Sequence, residues 1–132
     1  MLKKTIVYED FKGNKREEDH FFNLTKSEIT EMEMSVTGGM AEMMQNIVKA
    51  QDTPALVKVF KEIILKAYGR PSADGRRFEK SEELSIAFSQ TNAYSELFME
   101  LATDADKAAA FINGIVPAEA VVDKPALPQS VN

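Results

Sequence analysis

The spacing of apolar residues changes character around Thr25, and this change constrains the fold more than any other feature. Before it, apolar side chains alternate, as in a strand with one face buried. After it, they recur every three to four residues, as on one face of a helix. Thr5, Ile6, Val7, Tyr8 and Phe11 favour strands. Ile6 and Tyr8 fall on one face, Val7 and Phe11 on the other. Gly13-Asn14 marks a turn where positive φ is cheap. The return strand places His20, Phe22 and Leu24 on one face and Asp19 and Phe21 on the other. Its first half, residues 15–19, is polar and is expected to be exposed. An isolated hairpin is marginal, so this one is expected to pack on helices or to pair with another strand.

The helical part opens with a capping-box pattern, Thr25 with Glu28, ahead of Ile29, Met32 and Val36. Gly38-Gly39 breaks that helix. Met40, Met43, Met44, Ile47 and Val48 form a second stripe. Thr53-Pro54 suits the start of a third helix. There, Leu56, Phe60, Ile63 and Ala67 share a face, with Val57 and Ile64 beside them, and Gly69 reads as its stop. Residues 70–80 read as a loop or small turn around Asp74-Gly75. Ser81 is placed to cap a helix carrying Leu84, Ala87 and Phe88. Around Thr91 the chain is expected to kink or restart, and Tyr94, Leu97, Phe98 and Leu101 give another stripe. A last helix begins at Thr103 or Asp104 and carries Ala108, Phe111, Ile112 and Ile115. Beyond Pro117 no periodicity survives, so residues 118–132 are expected to form a disordered tail.

The expected fold is therefore α+β and mainly α-helical. An N-terminal β-hairpin (1–24) packs on about five short helices (25–117) in a single domain of residues 1–117, followed by a flexible tail. The chain's 132 residues are enough to bury a modest core. Its net charge of −5 offers no global attraction to nucleic acid or anionic membrane. There is no cysteine, which removes disulfides, thiolate metal sites and cysteine nucleophiles. No apolar run follows Lys3-Lys4 as a signal peptide requires, and none approaches a membrane span. The expectation is a soluble intracellular protein.

Few residues could carry chemistry. His20 is the only histidine, a poor basis for a metal site or a catalytic triad, and reads as an ordinary strand residue. Asp104 and Asp106 open like a calcium loop, but the alanines and Phe111 that follow deny it ligands, so helix capping is the expectation. Glu82-Glu83 reads the same way beside Ser81. No glycine-rich phosphate cradle, nucleophile elbow or facing pair of carboxylates is visible. No enzyme, cofactor or metal is expected.

Two features suit partner binding instead. Arg70, Arg76, Arg77 and Lys80 form a basic cluster around Phe78. Such a cluster suits phosphate and a stacked base, an acidic partner protein, pairing with Asp74, Glu79 and acids elsewhere in the chain, or a plain solvated loop anchored by Phe78. The seven methionines fall largely in helical segments, where thioethers either fill a core or adapt to varied partners. The partner-binding candidates are Met40, Met43 and Met44 on one helix face, and Arg76, Arg77 and Phe78 on the loop.

Three stretches carry a resemblance to a known family. They are residues 5–14 with Phe21-Phe22-Asn23-Leu24-Thr25-Lys26-Ser27-Glu28; Ile64-Leu65-Lys66-Ala67-Tyr68-Gly69 with Asp74-Gly75-Arg76-Arg77-Phe78; and residues 88–94 with residues 111–117. In these the chain resembles the small tail assembly chaperones of long-tailed, non-contractile bacteriophages (siphoviruses) and prophages, chiefly of Gram-positive hosts. The resemblance implies a non-enzymatic factor of the host cytoplasm. It would bind the tape measure protein, assist polymerisation of the major tail protein, and be absent from the mature virion. It also implies that a programmed frameshift can extend the C-terminal segment. It supplies no catalytic residue, cofactor, nucleic-acid partner or membrane partner. Self-association through the hairpin's free edge remains open. The competing readings are a virion connector, such as a tail terminator or head-completion protein, and then a small DNA-binding regulator.

Overall fold

The structure is a computed structural model that describes residues 1–35 and 53–117, together with 38, 39, 42, 46, 49 and 50. The alternating segment forms strands β1 (Leu2–Glu9) and β2 (Lys15–Phe22), antiparallel, with Leu2 opposite Phe22 and Ile6 opposite Glu18. Asp10 organises the turn between them. Its carboxylate accepts the amides of Lys12 and Asn14, both at 2.9 Å, and Gly13 supplies the left-handed residue at φ +83°. Phe11 lies in this turn rather than on the strand face with Val7, and is 79% exposed. Ile6, Phe22 and Leu24 are buried as their alternation requires. The opposite face stays in water, as is common for an antiparallel sheet with helices on one side.

Helix α1 (Lys26–Met34) starts with the expected capping box: Glu28 N donates to Thr25 Oγ1 at 3.2 Å and Thr25 N to Glu28 Oε1 at 2.8 Å. Gly38 and Gly39 both adopt positive φ, in keeping with a break after α1. The expected stripe of Met40, Met43, Met44, Ile47 and Val48 lies outside the described residues, as does the tail at 118–132.

Helix α2 (Thr53–Ala67) buries Val59, Ile63, Ile64 and Ala67. Val57, expected beside the stripe, is exposed, and Val59 takes the inward place. The helix ends at Ala67 and the chain passes directly into strand β3 (Tyr68–Pro71). Gly69 is therefore a strand residue and not a helix stop. A Cβ on it would come within 2.6 Å of both the Glu79 carbonyl oxygen and the Phe78 ring. Strand β4 (Phe78–Glu79) pairs with β3, so residues 70–80, expected as a loop, form a short hairpin. β3 in turn pairs with β2, Phe21 opposite Gly69 and Phe22 opposite Tyr68. The sheet order is β1-β2-β3-β4. Gly69 and Pro71 are poor strand residues in isolation; pairing with β2 supplies what propensity lacks.

Three helices complete the inner layer, each with a side-chain cap. Ser81 caps α3 (Glu82–Ser89), Thr91 caps α4 (Asn92–Thr103) and Asp104 caps α5 (Ala105–Ile115). Asp104 accepts the amides of Asp106 and Lys107. The core is aromatic at its centre. Phe22 meets Phe88 and Phe111 edge-on, and Tyr68 stacks on Phe88 at 4.2 Å between centroids. Leu97, Leu101 and Ile115 close it from α4 and α5. Two backbone bonds tie the strand exit to helix ends: Asn23 N to Ala67 O and Leu24 N to Ile115 O, each 2.8 Å. The fold is thus α+β, with the hairpin and its sheet packed against five helices among the described residues.

Candidate partner-binding surfaces

The β3–β4 hairpin carries the basic cluster. Its turn is held by Ser72 and Asp74: Ser72 N donates to Arg77 O at 2.8 Å, and Asp74 Oδ1 accepts Ser72 Oγ at 2.6 Å and Arg76 N at 3.0 Å. The Ser72 hydroxyl, bonded first in effect, and the Arg76 amide hold the Asp74 carboxyl below its ordinary range. Gly75 takes φ +75° at the tip. Arg70 Nε and Arg77 Nη2 both reach Glu79, at 2.9 and 3.2 Å. Lys80 turns the other way. Its ammonium donates to Asn23 O and Glu28 Oε2, both at 2.7 Å, and lies over the Phe78 ring at 5.7 Å. Burial alone would raise the Glu28 carboxyl; the Lys80 ammonium and the Thr25 amide outweigh it and hold it low. Phe78 is half-buried against Gly69. Of the three loop candidates, Arg76 and Arg77 are exposed at the turn, and Phe78 is partly built into the hairpin. Met40, Met43 and Met44 lie outside the described residues.

His20 faces the core, half-buried among Tyr8, Tyr68 and Phe88, with ring centroids 5.3–6.4 Å away. Its Nδ1 is buried without a hydrogen-bond partner. Burial pushes the imidazole below its ordinary value, against the opposing pull of Glu18. No group of three His, Cys, Asp or Glu able to hold a metal ion is present among the described residues. Nor is any helix of the described residues long and apolar enough to cross a membrane.

A further surface escaped the sequence reading. Between β1 and α4 runs an open trough of about 590 Å³, with Thr5, Ile6 and Val7 on one wall and Glu96, Met99, Thr103 and Asp104 on the other. It continues past Glu100 and Lys107 into a hollow of about 300 Å³ beside Leu2 and Phe111. Val7 is 52% and Met99 53% exposed, and both are among the residues that line this depression. Lys4 bridges the trough to Glu100 at 2.5 Å. The signals for this surface were faint. Val7 is the apolar residue out of step with Ile6 and Tyr8, and Met99 stands off the Leu97–Leu101 stripe. Neither reveals that the two meet.

These surfaces offer apolar contact, ion pairing and free strand backbone, which are the means of protein recognition. Comparison with known proteins agrees in kind. The family model described as phage tail assembly chaperone matches residues 1–128. No curated protein and no solved structure matches the chain.

Proposed function

Because the chain belongs to the phage tail assembly chaperone family, we propose that it is a non-enzymatic assembly factor that binds the tape measure protein in the host cytoplasm. The match over residues 1–128 carries this reading. It is supported by a surface that leaves Val7, Met34 and Met99 exposed around a well-packed core. A tape measure protein is long and exposes apolar surface until the tail tube encloses it. A factor for it needs shallow apolar patches and moderate affinity, so that polymerising major tail protein can displace it. Arg76, Arg77 and Phe78, and Met40, Met43 and Met44, are the side chains proposed to meet the client, alongside the trough. In this reading the protein belongs to a long-tailed, non-contractile phage or prophage and leaves before the virion matures.

The test is a tagged pull-down from induced host cells, with mass spectrometry of the eluate and of purified particles. Capture of the tape measure protein by a bait missing from the particles is the expected result. A fixed copy number in the particles would replace the chaperone reading with a virion connector. Capture of nucleic acid alone would overturn both.

A further inference from the structure

Strand β1 sits at one end of the sheet and pairs with β2 alone. Antiparallel pairing alternates, so every second residue turns its N–H and C=O away from the partner strand. Two contacts fix which residues these are. Asp10 N donates across the turn to Asn14 O at 2.8 Å, which directs Tyr8, Ile6, Lys4 and Leu2 toward β2. Glu9 O points the other way, where Asn92 Nδ2 takes it at 2.8 Å. Lys3, Thr5 and Val7 therefore present their backbone groups outward. No bond to those groups from α4 or α5 is present among the described residues. Long free edges are usually blunted by charge, proline or a bulge. Here Lys3 reaches toward Asp19 and Lys4 is held by Glu100, leaving Thr5-Ile6-Val7 uncharged and straight along the trough. The opposite edge, β4, spans only Phe78–Glu79 and offers no comparable template.

We propose that β1 is a docking edge for an extended segment of a partner protein whose side chains alternate between apolar and basic, the segment adding as a fifth strand in the trough beside α4. Backbone pairing with Lys3, Thr5 and Val7 supplies affinity. Side chains on the inner face of the added strand rest on the α4 wall, where Met99 lies among Glu96 and Asp104. Lys4 already pairs with Glu100, and Asp104 spends its Oδ1 on capping α5; Glu96 and the second Asp104 oxygen remain against a single lining ammonium, Lys107, so the trough keeps an acidic balance that suits an incoming lysine or arginine. The assignment rests on the proposed function for the identity of the partner, but the edge itself is tested without it.

The probe is a synthetic peptide alternating valine and lysine, compared with one alternating valine and glutamate, read by residue-resolved hydrogen exchange on the full chain. The lysine peptide is expected to slow exchange at Thr5 and Val7 while leaving Ile6 and Tyr8 unchanged, since those amides are already paired. The glutamate peptide should leave all four amides unchanged. Val7→Pro removes an outward N–H without touching the β1–β2 ladder. It should retain the parental circular dichroism and weaken the lysine peptide roughly tenfold or more, whereas Val7→Thr should bind as the parent does. Equal binding by Val7→Pro, or protection confined to the Arg76–Arg77 turn, overturns the proposal. Protection of Thr5 and Val7 that rises with protein concentration alone also overturns it, and assigns the edge to a second copy. The same variants are then tested on purified tape measure protein. If the parent protects Thr5 and Val7 with the peptide yet ignores the tape measure protein, the functional reading fails and the edge stands. If tape measure binding survives Val7→Pro unchanged, the edge assignment fails and the functional reading stands.

Discussion

The two ends of the sheet are finished in opposite ways. At the β4 end most of the charged side chains have a partner among the described residues. Arg70 and Arg77 converge on Glu79, Lys80 bridges Asn23 and Glu28, and Gly69 lets Phe78 and the Glu79 carbonyl close over β3. At the β1 end the backbone of Lys3, Thr5 and Val7 faces an open trough, with two exposed apolar side chains beside it. A charged, aromatic loop that looks built for recognition in the sequence thus spends much of its chemistry on closing the fold. The first strand, whose edge the sequence leaves open to pairing, is left unfinished. Unsatisfied backbone beside exposed apolar surface marks where a partner can add stability that the chain does not supply for itself.

Substitutions can break this contrast, starting where both ends share support. Phe22 is fully buried and touches Phe88, Phe111 and Tyr68. Phe22→Ala is expected to lower stability by about 3–5 kcal/mol in urea denaturation and to loosen both ends together. Gly69→Ala acts on the closed end only. Its methyl group would force the Glu79 carbonyl or the Phe78 ring aside, at about 1–3 kcal/mol. Exchange of β4 amides should accelerate while Ile6 and Tyr8 stay protected. If the β1 amides accelerate equally, the two ends are coupled and the contrast is wrong.

The acid response should come from the centre. His20 is held below its ordinary value of 6.5 by burial among Tyr8, Tyr68 and Phe88, with Glu18 and Asp19 pulling weakly the other way. The unfolded chain therefore binds the proton first. His20's contribution to stability is complete above about pH 6.5 and falls as pH drops below that value. The urea midpoint should decline as pH falls through about 6.5 and on below it, and His20→Phe should flatten the decline. Loss of the stability linked to Asp10, Glu18 and Glu28, whose carboxyls are held low, belongs to more acidic solution. The smallest effects should lie at the open end. Val7→Thr and Met99→Gln touch exposed side chains and should change stability by less than about 0.5 kcal/mol. A larger loss at either position would mean that the trough is part of the core.

Much of the fold was legible because its signals are local. The Thr25–Glu28 capping box, the Ser81 cap, a break near Thr91, a last helix start at Thr103 or Asp104, and the inward set of Phe22, Leu24, Ile63, Leu97, Leu101, Phe111 and Ile115 follow from spacing alone; the structure chose Thr91 and Asp104 as the caps. The turn glycines Gly13 and Gly75 follow from their neighbours. Gly69 was misread as a helix stop because its requirement is not local: the groups that crowd it belong to Phe78 and Glu79. β3 and β4 were hidden for a related reason. Short strands containing glycine and proline have little strand preference until another edge pairs with them.

What the sequence determined by itself was the first hairpin, the helices, the Thr25 and Ser81 caps and most of the buried side chains, since each depends on residues within a turn or two along the chain. What only the tertiary structure decided was which surfaces remain unsatisfied. Glu79 is one of several acids that Arg77 can meet until the β3–β4 pairing sets the two together, and Val7 reads as one more strand residue until α4 places Met99 beside the same trough. Satisfaction of a charge, a glycine or a strand edge is a property of what lies opposite in space, and sequence spacing does not encode that.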